Sequence, residues 1–202
     1  MRRIFLSLAT LAAPAAAADP LPNIPYQTLT LDAAHSSVTA HVSHLGIAPY
    51  VFGFDGVEAS LDFGTDRPGD TVLVARIAAG SLDLPSPPEG FVAQILGPGW
   101  LDAVRFPAIT FTGGTFDRTG PRHARMAGTM RMLGVDAPLV LYIHFHGAAL
   151  DGPAPRLGFS ATGSFERSRF GLTAHLPGSG AAPSVGDRIS FRITGEFVGA
   201  AQ

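Results

Sequence analysis

The sequence predicts an all-β protein of antiparallel strands, and three observations carry that reading. Apolar and polar residues alternate with a period of two along most of the chain, as in Val57, Ala59, Leu61 and Phe63 against Glu58, Ser60 and Asp62. Clusters of Gly, Pro and Asp such as FGTDRPGDT and DGPAPRLG separate these runs at short intervals. Only one stretch, Pro87 to Phe106, departs from the alternation towards helical spacing.

The chain of 202 residues opens MRRIFLSLATLAAPAAAADP, two arginines, an interrupted apolar run and Ala16-Ala17-Ala18 before Asp19. That is the layout of a cleaved secretory signal at residues 1–18, leaving 19–202 as one exported domain, periplasmic or secreted. The apolar run is too short and too broken by Ser7, Thr10 and Pro14 to span a membrane.

Nine alternating segments follow: Thr28–Asp32, Ser37–Leu45, Val57–Phe63, Thr71–Ile77, Ala108–Thr112, Arg125–Leu133, Pro138–His146, Leu157–Phe165 and Arg188–Thr194. Eight or nine strands are therefore expected. Within Pro87 to Phe106, Pro88 and Glu89 suit a helix start and Phe91 and Ile95 share a helical face. Gly97-Pro98-Gly99 ends that turn before a second short helix, giving helical cover over a β structure. Strands with one apolar side hide it by packing two sheets or by closing one sheet on itself, and the pattern alone leaves both open.

Several chemistries are excluded. The absence of cysteine removes disulfides, thiolate metal sites and a cysteine nucleophile. Fourteen basic side chains, all arginine, against 16 acidic ones leave no positive excess for nucleic acid. No G-x-S-x-G elbow and no phosphate-binding glycine loop occurs, and HSS at His35 to Ser37 reads as a turn with a side-chain hydrogen bond. GDR at Gly186 to Arg188 reads as a tight entry to the last strand.

The histidines need separate treatment. If Leu139, Leu141, Ile143 and Phe145 face inward, His144 and His146 share the outer face, which is half of a zinc site on a strand. A metal-dependent enzyme built on that pair is one rival reading, although His123 and His175 stand at no recognisable ligand spacing from it. His41 falls with Ser37, Thr39 and Ser43, whereas His44 falls with Val38, Ala40 and Val42, where it is either a hydrogen-bonded core residue or a polar contact for a ligand head group.

Fourteen phenylalanines, among them Phe52 and Phe54, and one tryptophan supply the apolar stock. They fit equally a filled β-sandwich acting as a partner-binding module and a lined apolar pocket.

The motifs LDAAHSSVTAHVSHLG, FGFDGVEASLDFG, ARIAAGSLDL, WLDAVRFPAITFTGG, MAGTMRMLGVDAPLVL, GFSATGSFERSRFGL and VGDRISFRITGEF run in order from Leu31 to about Phe197. In that combination the chain resembles the YceI-like proteins, polyisoprenoid-binding periplasmic proteins. The resemblance implies an extended antiparallel lipocalin-like β-barrel of about eight strands with short helical cover, holding an isoprenoid or other amphiphilic chain without catalysis or cofactor. A second copy of the chain is admitted as a further partner. The chain departs from the family between Leu84 and Trp100, where PSPPEGFVAQILGPG replaces a charged stretch. Residues expected to line the pocket are Val42, Phe63, Trp100, Leu101, Phe106, Phe111, Met130, Met132, Leu141, Ile143, Phe159, Phe165, Phe170 and Phe191, with His44 as the polar contact.

Overall fold

The computed structural model describes residues 23–200, so the expected signal at 1–18 lies outside the described residues. Ten strands and one α-helix follow in order: β1 (Gln27–His44), β2 (Ala48–Phe54), β3 (Val57–Phe63), β4 (Val72–Ala78), β5 (Leu82–Asp83), α1 (Phe91–Leu96), β6 (Ala108–Arg118), β7 (His123–Met132), β8 (Val135–Asp151), β9 (Ala154–Glu166) and β10 (Val185–Val198).

All belong to one antiparallel sheet in the order β10-β9-β8-β7-β6-β4-β3-β1-β2-β5, and β10 pairs back onto β1. Eight strands thus form a closed barrel, which removes the long unpaired edges that an open sheet would expose. A two-sheet sandwich, left open by the alternation, is overturned by this seam. It runs from Thr30 opposite Val198 to His44 opposite Val185.

β1 explains how ten strands make an eight-stranded ring. Its first residues, Gln27 to Thr30, pair with β3, and its last, Val38 to His44, pair with β2. The two segments expected at Thr28–Asp32 and Ser37–Leu45 are one strand of 18 residues with an irregularity between Asp32 and Ser37. There Asp32 accepts from the Ala34 N–H at 3.1 Å, and the Ser36 hydroxyl donates to the Asp32 carbonyl at 2.7 Å. That is the side-chain-bonded turn expected at HSS, set inside a strand as a bulge.

The β7–β8 connection is a two-residue hairpin in which Leu133 and Gly134 both have positive φ, 52° and 78°, as this turn type demands. It fixes the register that sets Met130 opposite Ala137 and His123 opposite His144. β2 was not expected from the alternation. The helical cover is shorter than expected: α1 is six residues long, and residues 98–105 contain turns in place of a second helix. Phe91, Val92, Ile95 and Leu96 of this segment pack on the buried group of Val38, Phe54, Leu82, Leu84 and Leu101.

The barrel interior is not uniform along its length. At one end Ile24, Leu29, Leu157 and Phe197 form a solid core, joined by Phe63, Phe145 and Phe159. Phe159 and Phe197 stack there with ring centroids 5.1 Å apart. At the other end the inward side chains line the walls of a hollow.

Candidate ligand cavity

The hollow has a volume of about 670 Å³, within the range of small-molecule sites. Its wall follows from strand periodicity. Val38, Ala40, Val42 and His44 are alternate residues of β1, and Ile189, Phe191 and Ile193 are alternate residues of β10 across the seam. Met130 and Met132 of β7 and Leu139 and Leu141 of β8 continue the wall. Leu73, which also packs on the solid end, marks its floor. Phe91, Gln94, Ile95, Trp100 and Leu101 bring the helical cover into the lining.

Ten of the fifteen residues expected at the pocket stand on this wall: Val42, His44, Trp100, Leu101, Phe111, Met130, Met132, Leu141, Phe165 and Phe191. The other five lie elsewhere. Phe63 and Phe159 belong to the solid end, because inward orientation does not specify height along the barrel. Ile143 and Phe170 pack with Phe111, Met126 and Leu141, the rings of Phe170 and Phe165 meeting at right angles. Phe106 lies against Gly134 of the hairpin turn, with Arg105 over its ring.

The sequence reading passed over several lining residues. Tyr50, Phe52 and Phe54 come from the unexpected β2; two of them were counted only among the apolar stock. Arg167, Leu172 and His175 come from the turn and loop after β9, where no periodicity operates.

Arg167 is 1% exposed. Its guanidinium donates to three backbone carbonyls, Gly186 at 2.8 Å, Leu172 at 2.9 Å and Val185 at 2.9 Å. Burial pulls its pKa below the ordinary arginine value, opposed by the charge of Asp187. The guanidinium carbon lies 5.9 Å from the centre of the Trp100 ring, whose plane stacks on His175 at 5.8 Å. His175 Nδ1 lies 3.1 Å from the Pro183 carbonyl, which can only accept, so Nδ1 carries the proton.

On the outer wall His144 and His146 meet edge to face at 4.8 Å. His123, which sequence spacing left remote, is brought by the β7–β8 register onto His144, the rings stacked 4.7 Å apart at 13°. Nearly parallel rings aim their in-plane nitrogens side by side, away from a common ion. Desolvation, then the neighbouring His123, His146, Arg122 and Arg192, lowers the His144 pKa. Elsewhere among the described residues Asp32, His35 and Glu196 bring ligand atoms close together. There the Arg156 guanidinium already joins Asp32 at 2.7 Å and Glu196 at 2.8 Å, supplying the positive charge.

No helix among the described residues is long and apolar enough to cross a membrane. The pattern of the YceI-like domain matches residues 29–197. A UPF0312 protein of Shewanella baltica strain OS185 is 29% identical over 146 residues, 72% of this chain and 75% of that protein. Among solved structures, Burkholderia cenocepacia BcnA matches with a TM-score of 0.68 and 19% identity, over 84% of this chain and 99% of its own. A Campylobacter jejuni YCEI protein matches at 0.65 and 22% identity, over 78% and 90%. A polyisoprenoid binding domain from Saccharophagus degradans implicated in plant cell wall breakdown matches at 0.58 and 12%, over 87% and 99%. At these identities the structural likeness is one of fold. Because the family pattern extends through the barrel from β1 to β10, the chain belongs to the YceI-like family.

Proposed function

We propose that the protein binds a long isoprenoid or other amphiphilic lipid, polyprenyl or quinone-like, inside the barrel and carries or stores it in the periplasm or outside the cell, without catalysis. The observation that carries this reading is the apolar cavity of about 670 Å³, walled by alternate residues of the barrel strands. Family membership supports it, as does the Saccharophagus relative named for polyisoprenoid binding.

The gross energetics are of the order that micromolar binding needs. Each buried methylene gains about 0.8 kcal/mol, so ten to fifteen of them give roughly 8 to 12 kcal/mol before ordering costs. Micromolar affinity corresponds to about 8 kcal/mol. Native mass spectrometry of freshly purified protein is expected to show a co-purifying amphiphile, and the emptied protein to take up a fluorescent polyprenol. Finding neither overturns the carrier reading.

A further inference from the structure

The cavity carries a charge as well as an apolar surface. Among its lining residues there is no aspartate or glutamate, while Arg167, His44 and His175 all belong to the lining. The three are joined through one short piece of backbone. His44 is the register partner of Val185, the Val185 carbonyl accepts from Arg167, and the Val185 N–H donates to the His175 carbonyl at 2.7 Å. Trp100 neighbours both the guanidinium and the His175 ring. The polar end of the cavity is thus a compact cationic corner at the junction of β1, the loop before β10 and the helical cover.

The charge of Arg167 is offset only in part, and without direct contact, by Asp187. It forms no ion pair among the described residues. Asp187, the carboxylate whose charge it feels, accepts from the Ser168 N–H at 2.8 Å and the Ser168 hydroxyl at 2.7 Å instead. Each guanidinium nitrogen makes one bond, which leaves two of the five N–H groups without an acceptor among the described residues. A buried cation held by carbonyl dipoles and an aromatic face, with its nearest carboxylate turned to Ser168, gains from a further anion nearby. In an apolar enclosure its field reaches a nearby ligand with little screening.

We infer that the amphiphile bound in this cavity carries an oxyanion head, a carboxylate or a phosphate, seated at the Trp100, His175 and His44 corner and held by the charge of Arg167. This rests on the carrier reading and narrows it: a neutral alcohol or a quinone of the same tail gains the apolar contacts but not the charge. A purely structural Arg167, tying the loop after β9 to the start of β10, predicts no preference among head groups.

Trp100 is the sole tryptophan and lines the cavity, so its fluorescence reports occupancy. The full chain is titrated with three ligands sharing one C20 tail: geranylgeraniol, geranylgeranoic acid and geranylgeranyl monophosphate. The expected result is at least tenfold tighter binding of one or both anions than of the alcohol, persisting at pH 8, which lies above the ordinary imidazole range and below the ordinary guanidinium range. Whichever anion leads identifies the oxyanion. Equal affinities overturn the inference and leave the carrier reading standing. Loss of the anion preference at pH 8 also overturns it, assigning the charge to the histidines. Failure of all three ligands, together with failure of an apolar dye, brings down the carrier reading and this inference with it. R167Q is expected to bring the anion-to-alcohol ratio within about twofold of one, and a folded R167Q that keeps the ratio refutes the role of Arg167. If circular dichroism shows R167Q unfolded, the wild-type ratio at pH 8 decides alone.

Discussion

Asp32 lies where β1 breaks its regular pairing with β10, and its carboxylate binds Arg156 at 2.7 Å and His35 at 2.9 Å. Those two bonds, Arg156 first, hold its pKa down from 3.8 to about 2. A carboxyl group with a depressed folded-state pKa contributes stability that is present above its unfolded value and lost as pH falls through the folded one. The D32N variant is therefore expected to be less stable than wild type at neutral pH, with the gap closing between about pH 4 and pH 2. Urea unfolding across that range checks it; a gap independent of pH would count against the ion pair. At this same scale the sequence told which side chains face inward but not what they meet. Phe111 and Phe159 both lie on inward faces of strands, yet one lines the cavity and the other stacks on Phe197 in the solid end.

Strand β1 is the element on which closure depends, since residues 38 to 42 pair with β10 on one side and β2 on the other. Proline at Thr39 removes a ladder N–H in a doubly paired strand, leaves its acceptor unsatisfied and is expected to cost about 1–3 kcal/mol or more, read from the denaturant midpoint. Stability within about 0.5 kcal/mol of wild type would show that the seam is not cooperative with the rest of the barrel. Strands with a polar outer face were legible from the alternation, β3 and β10 most clearly. Strand β2 was not, because Tyr50, Phe52 and Phe54 alternate with Pro49, Val51 and Gly53, so no polar face marks the period. The helix at Phe91 to Leu96 was legible from its four-residue spacing and its glycine stop, whereas the turns after it were read as a second helix.

For the whole molecule, the consequential feature is a barrel solid at one end and hollow at the other. Ala75 of β4 lies on the cavity wall between Leu73 and Ile77, and its small side chain leaves room that a larger one would occupy. A75W is expected to weaken uptake of an apolar dye at least tenfold while circular dichroism stays that of a β-barrel, at an overpacking cost of about 1–3 kcal/mol. Undiminished uptake would mean that ligand enters elsewhere. Sequence by itself determined the antiparallel β class, the inward face of most strands, the place of the helical cover and the family resemblance, because each is written in a local period or motif. Only the tertiary structure decided that β10 closes on β1, where along the barrel each inward residue sits, that His123 stacks on His144, and that Arg167 is buried at the cavity corner. Those outcomes depend on register between strands distant in the chain, and a two-residue alternation is the same at every height of a barrel.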